Sequence, residues 1–343
     1  MGTRRRRVSV IYFISKLVKW DDLPMEIISN PTQDEIKQAA QALKDGHLVA
    51  FPTETVYGLG ADATNEKAVS RVYSVKARPT DHPLIVHISS INQLSKWAID
   101  IPEYAIKLAE EFWPGPMTLI LKRSEIAKDF ITGGQENVGL RVPAHPLAFA
   151  LLGELEKLGG YGIAAPSANR FGAVSPTSAQ HVKEDLEQFL SEDDIILDGG
   201  KCSVGIESTI VDCTKKLARI LRPGSVSPKN IETIAGIKIE SEFSISDIRH
   251  PGMLRFHYSP RAQVVLDVLA NLGEGFIAMA NIPTPIGAIR LSSPNTVEQY
   301  AKELYAALRF GDQRGITKIA VIQPKGSELA ESIRDRLGKS AQK

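Results

Sequence analysis

Apolar residues recur along the chain at intervals that predict alternating helices and strands. Thr32-Gln-Asp-Glu35 forms a capping box, apolar residues follow at helical spacing, and Gly46 ends the pattern, which predicts a helix. Short apolar runs that predict strands lie at 48–51, 84–88, 117–121, 139–142, 163–165, 195–197, 209–211 and 220–221. Helical patterns fall between several of them, near 66–76, 103–112, 146–158 and 177–190. This interleaving predicts an α/β domain with a twisted mixed sheet over residues 27–239.

The pattern is lost after Ile239 and becomes regular again near residue 263. Residues 240–262 show no clear period and end in turn-forming sequence, so they predict a linker. The length of this linker and its turn residues favour a lid over the N-terminal cavity, with an ordered but inert linker as the alternative. Residues 263–343 predict a smaller Rossmann-like βαβ domain. Its strand-like runs lie at 264–269, 276–280, 286–291 and 318–322, and its helical patterns at 295–309 and 326–337.

The first 26 residues resemble a signal peptide only in outline. A basic run at residues 4–7 precedes an apolar run at 8–18, but Lys16 and Lys19 interrupt the apolar character and no small-residue cleavage site follows. We interpret this segment as an N-terminal extension, with Met25 as an alternative start.

The composition bounds the class of protein. A chain of 343 residues exceeds one ordinary core, so two domains are expected. With 43% hydrophobic and 24% charged residues it is typical of a folded cytoplasmic protein without a membrane segment. The net charge of +1 disfavours a dedicated nucleic-acid binder, so weak or no direct tRNA binding is expected. Cys202 and Cys213 are the only cysteines, and their spacing disfavours a disulfide or zinc site.

Four cations stand at or near the ends of predicted strands: Lys76, Arg78, Arg141 and Arg222. On a strand or extended loop, Lys76 and Arg78 would project to the same side and straddle neighbouring phosphates, whereas a solvated pair is the alternative. Arg141 lies between apolar neighbours without a nearby carboxylate in sequence, so a ligand carboxylate or phosphate is one candidate partner. Together these cations suit a nucleoside triphosphate, whose charge one Mg²⁺ only partly neutralises.

Segments rich in hydroxyls and small residues follow several strands, at 51–61, 165–169, 175–177 and 205–212. Thr177 with Gln180 predicts a second capping box, and plain helix capping competes there with a phosphate site. The turn at 113–118 is interpreted as structural. Since no Walker A motif, dinucleotide fingerprint or catalytic triad occurs, no covalent nucleophile is predicted.

The order of these segments resembles the YrdC-domain family of threonylcarbamoyl-adenylate synthases in its long, two-domain form. The matching segments are PTETVYGLG (52–60), KARPTDHPLIVHI (76–88), WPGPMTL (113–119), LRVP (140–143), APSAN (165–169), ESTIVD (207–212), LRPG (221–224) and PGMLRFHYSP (251–260). The sequence departs from the usual family pattern at His82, where Asn is expected, and at Arg255-Phe256, where Tyr-Arg is commoner.

The resemblance implies a set of site residues. L-threonine would be surrounded by Thr55, His87, Arg141 and Ser208, with Arg141 pairing its carboxylate. ATP would be held by Lys76, Arg78, His82, Asn137, Ser167, Asn169, Thr177 and Arg222, with His257 and Tyr258 folding back from the linker. Lys76, Arg78 and Arg141 would be the catalytic cations.

The resemblance also implies the reaction. ATP, L-threonine and bicarbonate would give threonylcarbamoyl-AMP and pyrophosphate, and the product would pass to a tRNA threonylcarbamoyl transferase for threonylcarbamoyladenosine modification. Mg²⁺ would be carried with ATP, and no protein metal site is predicted. A non-catalytic RNA-binding module is the alternative from another class. An enzyme of the same fold that makes a different carbamoyl adenylate is disfavoured, because no acylphosphatase-like or zinc-finger segment is recognisable.

Overall fold

Two β-sheets organise the chain in the computed structural model, which describes residues 26–240, 248–253 and 258–342. The predicted N-terminal extension up to Met25, the departure at 255–256 and His257 lie outside the described residues. The strands of the larger sheet are β1 (Ile27–Ser29), β2 (Val49–Phe51), β3 (Gly58–Asp62), β4 (Ile85–His87), β5 (Met117–Lys122), β6 (Asn137–Arg141), β7 (Ile163–Ala164), β8 (Ile195–Asp198), β9 (Thr209–Asp212) and β10 (Arg219–Arg222).

These ten strands hydrogen-bond in the order β1-β8-β2-β3-β7-β4-β6-β5-β9-β10. Parallel pairs such as β4 with β6 alternate with antiparallel pairs such as β5 with β6, so the sheet is mixed. The β4–β6 register places His87 opposite Arg141. Two residues that are 54 positions apart are thereby brought to the same end of adjacent strands.

Helices cover the larger sheet. They are α1 (Gln33–Asp45), α2 (Glu66–Lys76), α3 (Leu94–Trp97), α4 (Glu103–Phe112), α5 (Asp129–Thr132), α6 (Pro146–Lys157), α7 (Ala179–Leu186) and α8 (Pro228–Ala235). The capping box predicted at Thr32 is present, and Gly46 closes α1 with φ 94° in the left-handed region, where glycine is favoured. The local signals at both ends of this helix therefore predicted it correctly.

Two local predictions were wrong. Lys76 is the last residue of α2 and Ala77 closes that helix in the left-handed conformation, so Lys76 and Arg78 do not share one strand or extended loop. The N-cap of α7 is Ser178, whose hydroxyl accepts from the His181 amide, and not Thr177. The Ser178 hydroxyl already serves the free amide there, so Thr177 is displaced from the capping position.

The smaller sheet consists of β11 (Gln263–Leu266), β12 (Gly275–Ile277), β13 (Ile289–Ser292) and β14 (Lys318–Val321), with helices α9 (Val297–Gln313) and α10 (Leu329–Ala341). All pairs are parallel, in the order β11-β14-β12-β13. The predicted fold class, a twisted mixed sheet plus a smaller Rossmann-like sheet, is confirmed. The boundaries predicted at residues 239 and 262 lie between β10 and β11 and stay predictions.

The two parts share a hydrophobic cluster. Val56, Val174 and Ile206 from the larger part pack with Tyr305 and Leu308 of α9. An ion pair between Arg309 Nη2 and Asp185 Oδ2, 2.6 Å apart, joins α9 to α7. The C-terminal part is therefore packed directly against Val56, Val174 and Ile206 of the larger part.

Candidate active site

A cavity opens where the ends of β4 and β6 meet the segments before β3 and β9. Its empty volume, including the part that is open to solvent, is about 570 Å³. Eight predicted site residues line it: Thr55, Arg78, His87, Arg141, Ser167, Ser208, Arg222 and Tyr258. The structure therefore gathers the four predicted threonine residues and four of the ten predicted nucleotide residues around one space.

Arg141 is held by a carboxylate of the protein itself. Its Nη2 donates to Glu54 Oε1 at 2.6 Å and its Nη1 to Thr55 Oγ1 at 2.9 Å. Its Nε donates to the Gly115 carbonyl at 3.2 Å, which gives the 113–118 turn a place in the site. The sequence offered a ligand anion as one candidate partner of Arg141, and the fold adds a carboxylate of the protein, Glu54, which lies 87 positions away in sequence.

Arg222 differs from Arg141 in its partners. Its guanidinium donates to the Ser208 carbonyl, to Ser208 Oγ and to the Pro251 carbonyl, each at 3.1 Å. Ser208 Oγ also shares a hydrogen bond of 2.8 Å with Thr118 Oγ1. Since none of these partners carries a charge, Arg222 is a buried cation whose hydrogen bonds within the described residues go to neutral groups.

Arg78 has the same character. It is buried, and its Nη2 and Nε donate to the carbonyls of Pro83 and His82 at 2.9 and 3.3 Å. Burial lowers the pKa of Arg78 to about 10, so the group stays charged at neutral pH. Arg78 and Arg222 thus present two cations to the cavity whose own hydrogen bonds go to neutral oxygens.

Lys76 lies deeper than predicted. It is 1% exposed and its Nζ donates to the carbonyls of Ser167 and Asn169. Burial holds the pKa of Lys76 well below its usual value, and the nearby Arg78 charge acts in the same direction. Lys76 is absent from the cavity lining, so in this conformation it holds the 167–169 loop in place.

The 167–169 loop is fixed by its own side chains as well. Ser167 Oγ donates to Asn169 Oδ1 at 2.5 Å, and Asn169 Nδ2 donates to the carbonyls of Arg170 and Ala173. Ser167 lines the cavity and Asn169 does not. The structure therefore shows Asn169 as a support for the loop and Ser167 as its exposed hydroxyl.

His87 lines the cavity and has a buried polar atom. Within the described part of the chain, its buried Nδ1 has no hydrogen-bond partner. Burial lowers the pKa of His87 to about 3, helped by the charge of Arg141, so the imidazole is neutral at neutral pH. A neutral imidazole nitrogen in a ligand cavity is suited to pair with a hydroxyl or amine of a ligand.

Three other predicted nucleotide residues lie away from this cavity. His82 is half-buried with its ring edge-on to Phe171, 5.4 Å between ring centroids. Asn137 lines a smaller neighbouring pocket together with Arg249. Thr177 is buried, with Oγ1 3.5 Å from His181 Nδ1. The geometry does not bring these three side chains to the space shared by the others.

Glu207 is a site residue that the sequence did not single out. It lines the cavity and accepts from Ser175 Oγ at 2.7 Å, from the Tyr305 hydroxyl at 2.9 Å and from Arg336 Nε at 2.9 Å. Although burial alone would raise its pKa, the charges of Arg336 and then Arg222 lower the pKa of Glu207 to about 2. No local sequence signal predicts this role of Glu207, because two of its partners lie 98 and 129 positions further along the chain.

Three described residues of the predicted linker reach the cavity. Pro251, Gly252 and Tyr258 are lining residues. Tyr258 is 1% exposed, its ring stacks on Tyr305 with 5.6 Å between centroids, and its carbonyl accepts from Ser340 Oγ. These three residues therefore form part of the cavity wall, while the role of the linker as a moving lid stays a prediction.

The described residues offer little to a protein-bound metal ion. No group of three or more His, Cys, Asp or Glu side chains with metal-binding geometry occurs among residues 26–240, 248–253 and 258–342. Across these same ranges, no helix combines the length and apolar character needed to cross a membrane.

Two family models match the chain in succession. Residues 41–224 match a family described as telomere recombination, and residues 226–342 match the C-terminal domain of threonylcarbamoyl-AMP synthase. Three curated relatives named threonylcarbamoyl-AMP synthase are similar over much of their length. The Pyrococcus abyssi enzyme is 40% identical and the match covers 90% of this chain and 94% of that one. The Bacillus subtilis enzyme is 43% identical, and the match covers 71% of this chain and 69% of that one. The Schizosaccharomyces pombe enzyme is 32% identical, and the match covers 92% of this chain and 90% of that one.

A solved structure agrees with these matches. The crystal structure of Pyrococcus abyssi Sua5 complexed with L-threonine superimposes with a TM-score of 0.83 at 37% identity. The alignment covers 92% of this chain and 98% of that one, so both sheets and their packing are included.

Proposed function

The chain belongs to the threonylcarbamoyl-AMP synthase family, and we propose that its cavity joins L-threonine, bicarbonate and ATP into threonylcarbamoyl-AMP with release of pyrophosphate. One observation carries the proposal furthest. Arg78 and Arg222 line the same cavity as Arg141, and neither bonds to a carboxylate of the protein in the described contacts. Two buried cations without a charged partner favour a polyanionic ligand such as a triphosphate.

Threonine is assigned to the subsite around Arg141. Of its five N–H groups, three are used by Glu54, Thr55 and Gly115 among the described residues. Two donors remain for the carboxylate of threonine. His87 and Ser208 line the same cavity, and the unpartnered Nδ1 of His87 would pair with the threonine hydroxyl or amine. The bound L-threonine of the Pyrococcus abyssi structure supports this substrate.

The phosphates are assigned to Arg78 and Arg222, with the Ser167 hydroxyl beside them. The guanidinium is planar and always charged, so it pairs well with phosphate oxygens. When the bond between the α- and β-phosphates breaks, negative charge moves onto the leaving pyrophosphate, and fixed cations there stabilise the transition state.

The chemistry requires positioning more than proton transfer by the protein. The threonine amine adds to bicarbonate with loss of water and gives an N-carboxylate. One of its oxygens then attacks the α-phosphorus and expels pyrophosphate. His87 stays neutral because burial lowers its pKa to about 3, so it orients the substrate and carries no charge. The wall formed by Tyr258 would keep water from the adenylate.

Magnesium would enter with ATP. Both carboxylates of the site are already committed, Glu54 to Arg141 and the Ala144 amide, and Glu207 to Ser175, Tyr305 and Arg336. These residues do not fit a protein-held Mg²⁺.

The product would be handed to a tRNA threonylcarbamoyl transferase, and the cytoplasmic location predicted from the sequence is part of this proposal. A non-catalytic RNA-binding module is not favoured, since the cations lie inside a cavity and the chain belongs to an enzyme family.

The experiment is pyrophosphate release with ATP, bicarbonate and each of the twenty amino acids in turn. We expect release that depends on threonine, with serine poorer and valine poorer still by at least about a hundredfold in kcat/KM, since a missing hydroxyl leaves buried polar groups unpaired. Release that does not depend on threonine would reject the substrate. Binding of RNA without competition from ATP would favour the alternative module.

A further inference from the structure

Glu207 links the cavity to the C-terminal part of the chain. Its carboxylate accepts from the Tyr305 hydroxyl on α9 and from Arg336 Nε on α10, each at 2.9 Å. Arg336 is fully buried, and its guanidinium also lies 5.6 Å from the centroid of the Tyr258 ring. Both C-terminal helices are therefore bonded to one carboxylate that lines the cavity.

The C-terminal part acts on the cavity only from behind its wall. Among the described residues that line the cavity, none lies beyond Tyr258. The helices α9 and α10 therefore act on the ligand through lining residues such as Glu207, to which both are bonded, or through the charge of Arg336 on Arg222.

Glu207 lies within the electrostatic reach of two guanidiniums and is bonded to one of them. The charges of Arg336 and of Arg222 both lower its pKa, yet among the described residues its hydrogen bonds go to Arg336 and not to Arg222. Arg222 instead donates to Ser208 and to the Pro251 carbonyl. Among the described contacts, Arg222 at the cavity therefore has no hydrogen bond to Glu207, whereas the deeper Arg336 is paired with it.

We propose that Arg336 is a positioning residue for the proposed reaction: it neutralises Glu207 and thereby leaves Arg222 available to the phosphates of ATP. The inference rests on the proposed function, because it assumes a phosphate beside Arg222. A buried carboxylate that loses its partner is strongly unfavourable, so without Arg336 it turns to the remaining cation that acts on it. Arg222 would then pair with Glu207 and compete with the nucleotide.

The proposal gives the C-terminal part a role in charge balance. The larger part supplies both Glu207 and Arg222, whose opposite charges would cancel inside the cavity. The C-terminal part supplies the additional cation that prevents this.

Binding of ATP with Mg²⁺ to the full chain, measured by calorimetry, tests the proposal. Arg336→Met should weaken ATP binding about tenfold or more, the scale of one charge-assisted contact. Arg336→Lys keeps the charge and should stay within about threefold of wild type. The double variant E207Q/R336M removes the competing carboxylate and should recover most of the lost affinity, which a loss of packing alone would not do.

Arg309→Met is the matched control. It removes another buried arginine that joins the two parts, at the Asp185 pair, without touching Glu207. It should lower the melting temperature and leave ATP affinity unchanged. Where Arg336→Met does not fold, Arg336→Gln takes its place, since Gln keeps a donor without the charge.

The measured ATP affinities distinguish failure of this inference from failure of the proposed function. ATP affinity equal to wild type in folded Arg336→Met, or no recovery in the double variant, would overturn the inference and leave the proposed function intact. A wild-type chain that binds no ATP would overturn the proposed function and the inference together.

Discussion

Glu54 and Arg141 form an ion pair of 2.6 Å between Oε1 and Nη2, with both side chains at least 90% removed from solvent. The same carboxylate accepts from the Ala144 amide through Oε2 at 3.0 Å. Arg141 therefore cannot rotate freely toward a ligand, and its orientation is set before any ligand binds. Such preorganisation reduces the cost of ordering the site on binding.

Glu54→Gln should destabilise the protein by about 1–3 kcal/mol, because a buried cation loses its carboxylate while one hydrogen bond is kept. The free energy of unfolding in urea measures this. Asp129→Asn is the control, since it breaks an exposed pair with Arg123 and should change stability little. Equal effects of the two substitutions would contradict the importance of the buried pair.

His87 predicts a loss of stability in mild acid. Burial, and then the charge of Arg141, lowers its pKa to about 3, whereas the unfolded chain takes up a proton near its usual value. Stability from this group is thus present above about pH 6.5 and is lost as pH falls toward about 3. Between about pH 7.5 and 5.5 the loss is about 1 kcal/mol. In urea titrations, His87→Gln should reduce the wild-type loss by about that amount, and an unchanged loss would show that His87 is protonated in the fold.

Arg222→Gln should raise the KM for ATP and lower kcat/KM at least about tenfold, since one charge-assisted phosphate contact is lost. Arg219→Gln is the matched control on β10. Arg219 bonds to Asp212 at 2.9 Å and does not line the cavity, so its loss should affect stability and leave the KM for ATP unchanged. Steady-state pyrophosphate release compares the two. A wild-type KM in folded Arg222→Gln would remove this residue from the nucleotide site.

Gly252→Ala should impair the wall formed by the linker. Gly252 has φ 84°, and a Cβ there would lie 2.5 Å from the Tyr258 hydroxyl oxygen. Gly236→Ala is the control, because it has φ 66° with no atom near the added Cβ and shows the backbone cost alone, about 1 kcal/mol. We expect Gly252→Ala to lose activity well beyond Gly236→Ala. Adding Tyr258→Phe should restore part of it, and no restoration would locate the damage elsewhere.

Local signals predicted much of the fold. The helix from Thr32 to Gly46 was predictable because its capping box and left-handed glycine are contained in a short stretch of sequence. Lys76 was misread for the converse reason. Two cations at positions i and i+2 give the same sequence pattern on a strand and at a helix end. The left-handed conformation of Ala77, which ends the helix, distinguishes the two cases.

The charge pairing of the site was beyond sequence reasoning. Motif order brought Arg141 and Arg222 into the same hypothesis, but their partners are set by the packing of distant elements. Glu54 reaches Arg141 across the sheet, and Arg336 reaches Glu207 from the second sheet's last helix. Without the fold, Arg141 and Arg222 could not be distinguished by their partners, and Arg336 was not a candidate.

The order of the smaller sheet has a kinetic consequence. β14 lies between β11 and β12, although it follows both in the chain, and its pairing with β11 joins Gln263 to Lys318. Until β14 arrives, β11 and β12 each present an open edge, and such edges can pair with other chains. Refolding should therefore be slow for a sheet of four strands and its yield should fall as protein concentration rises.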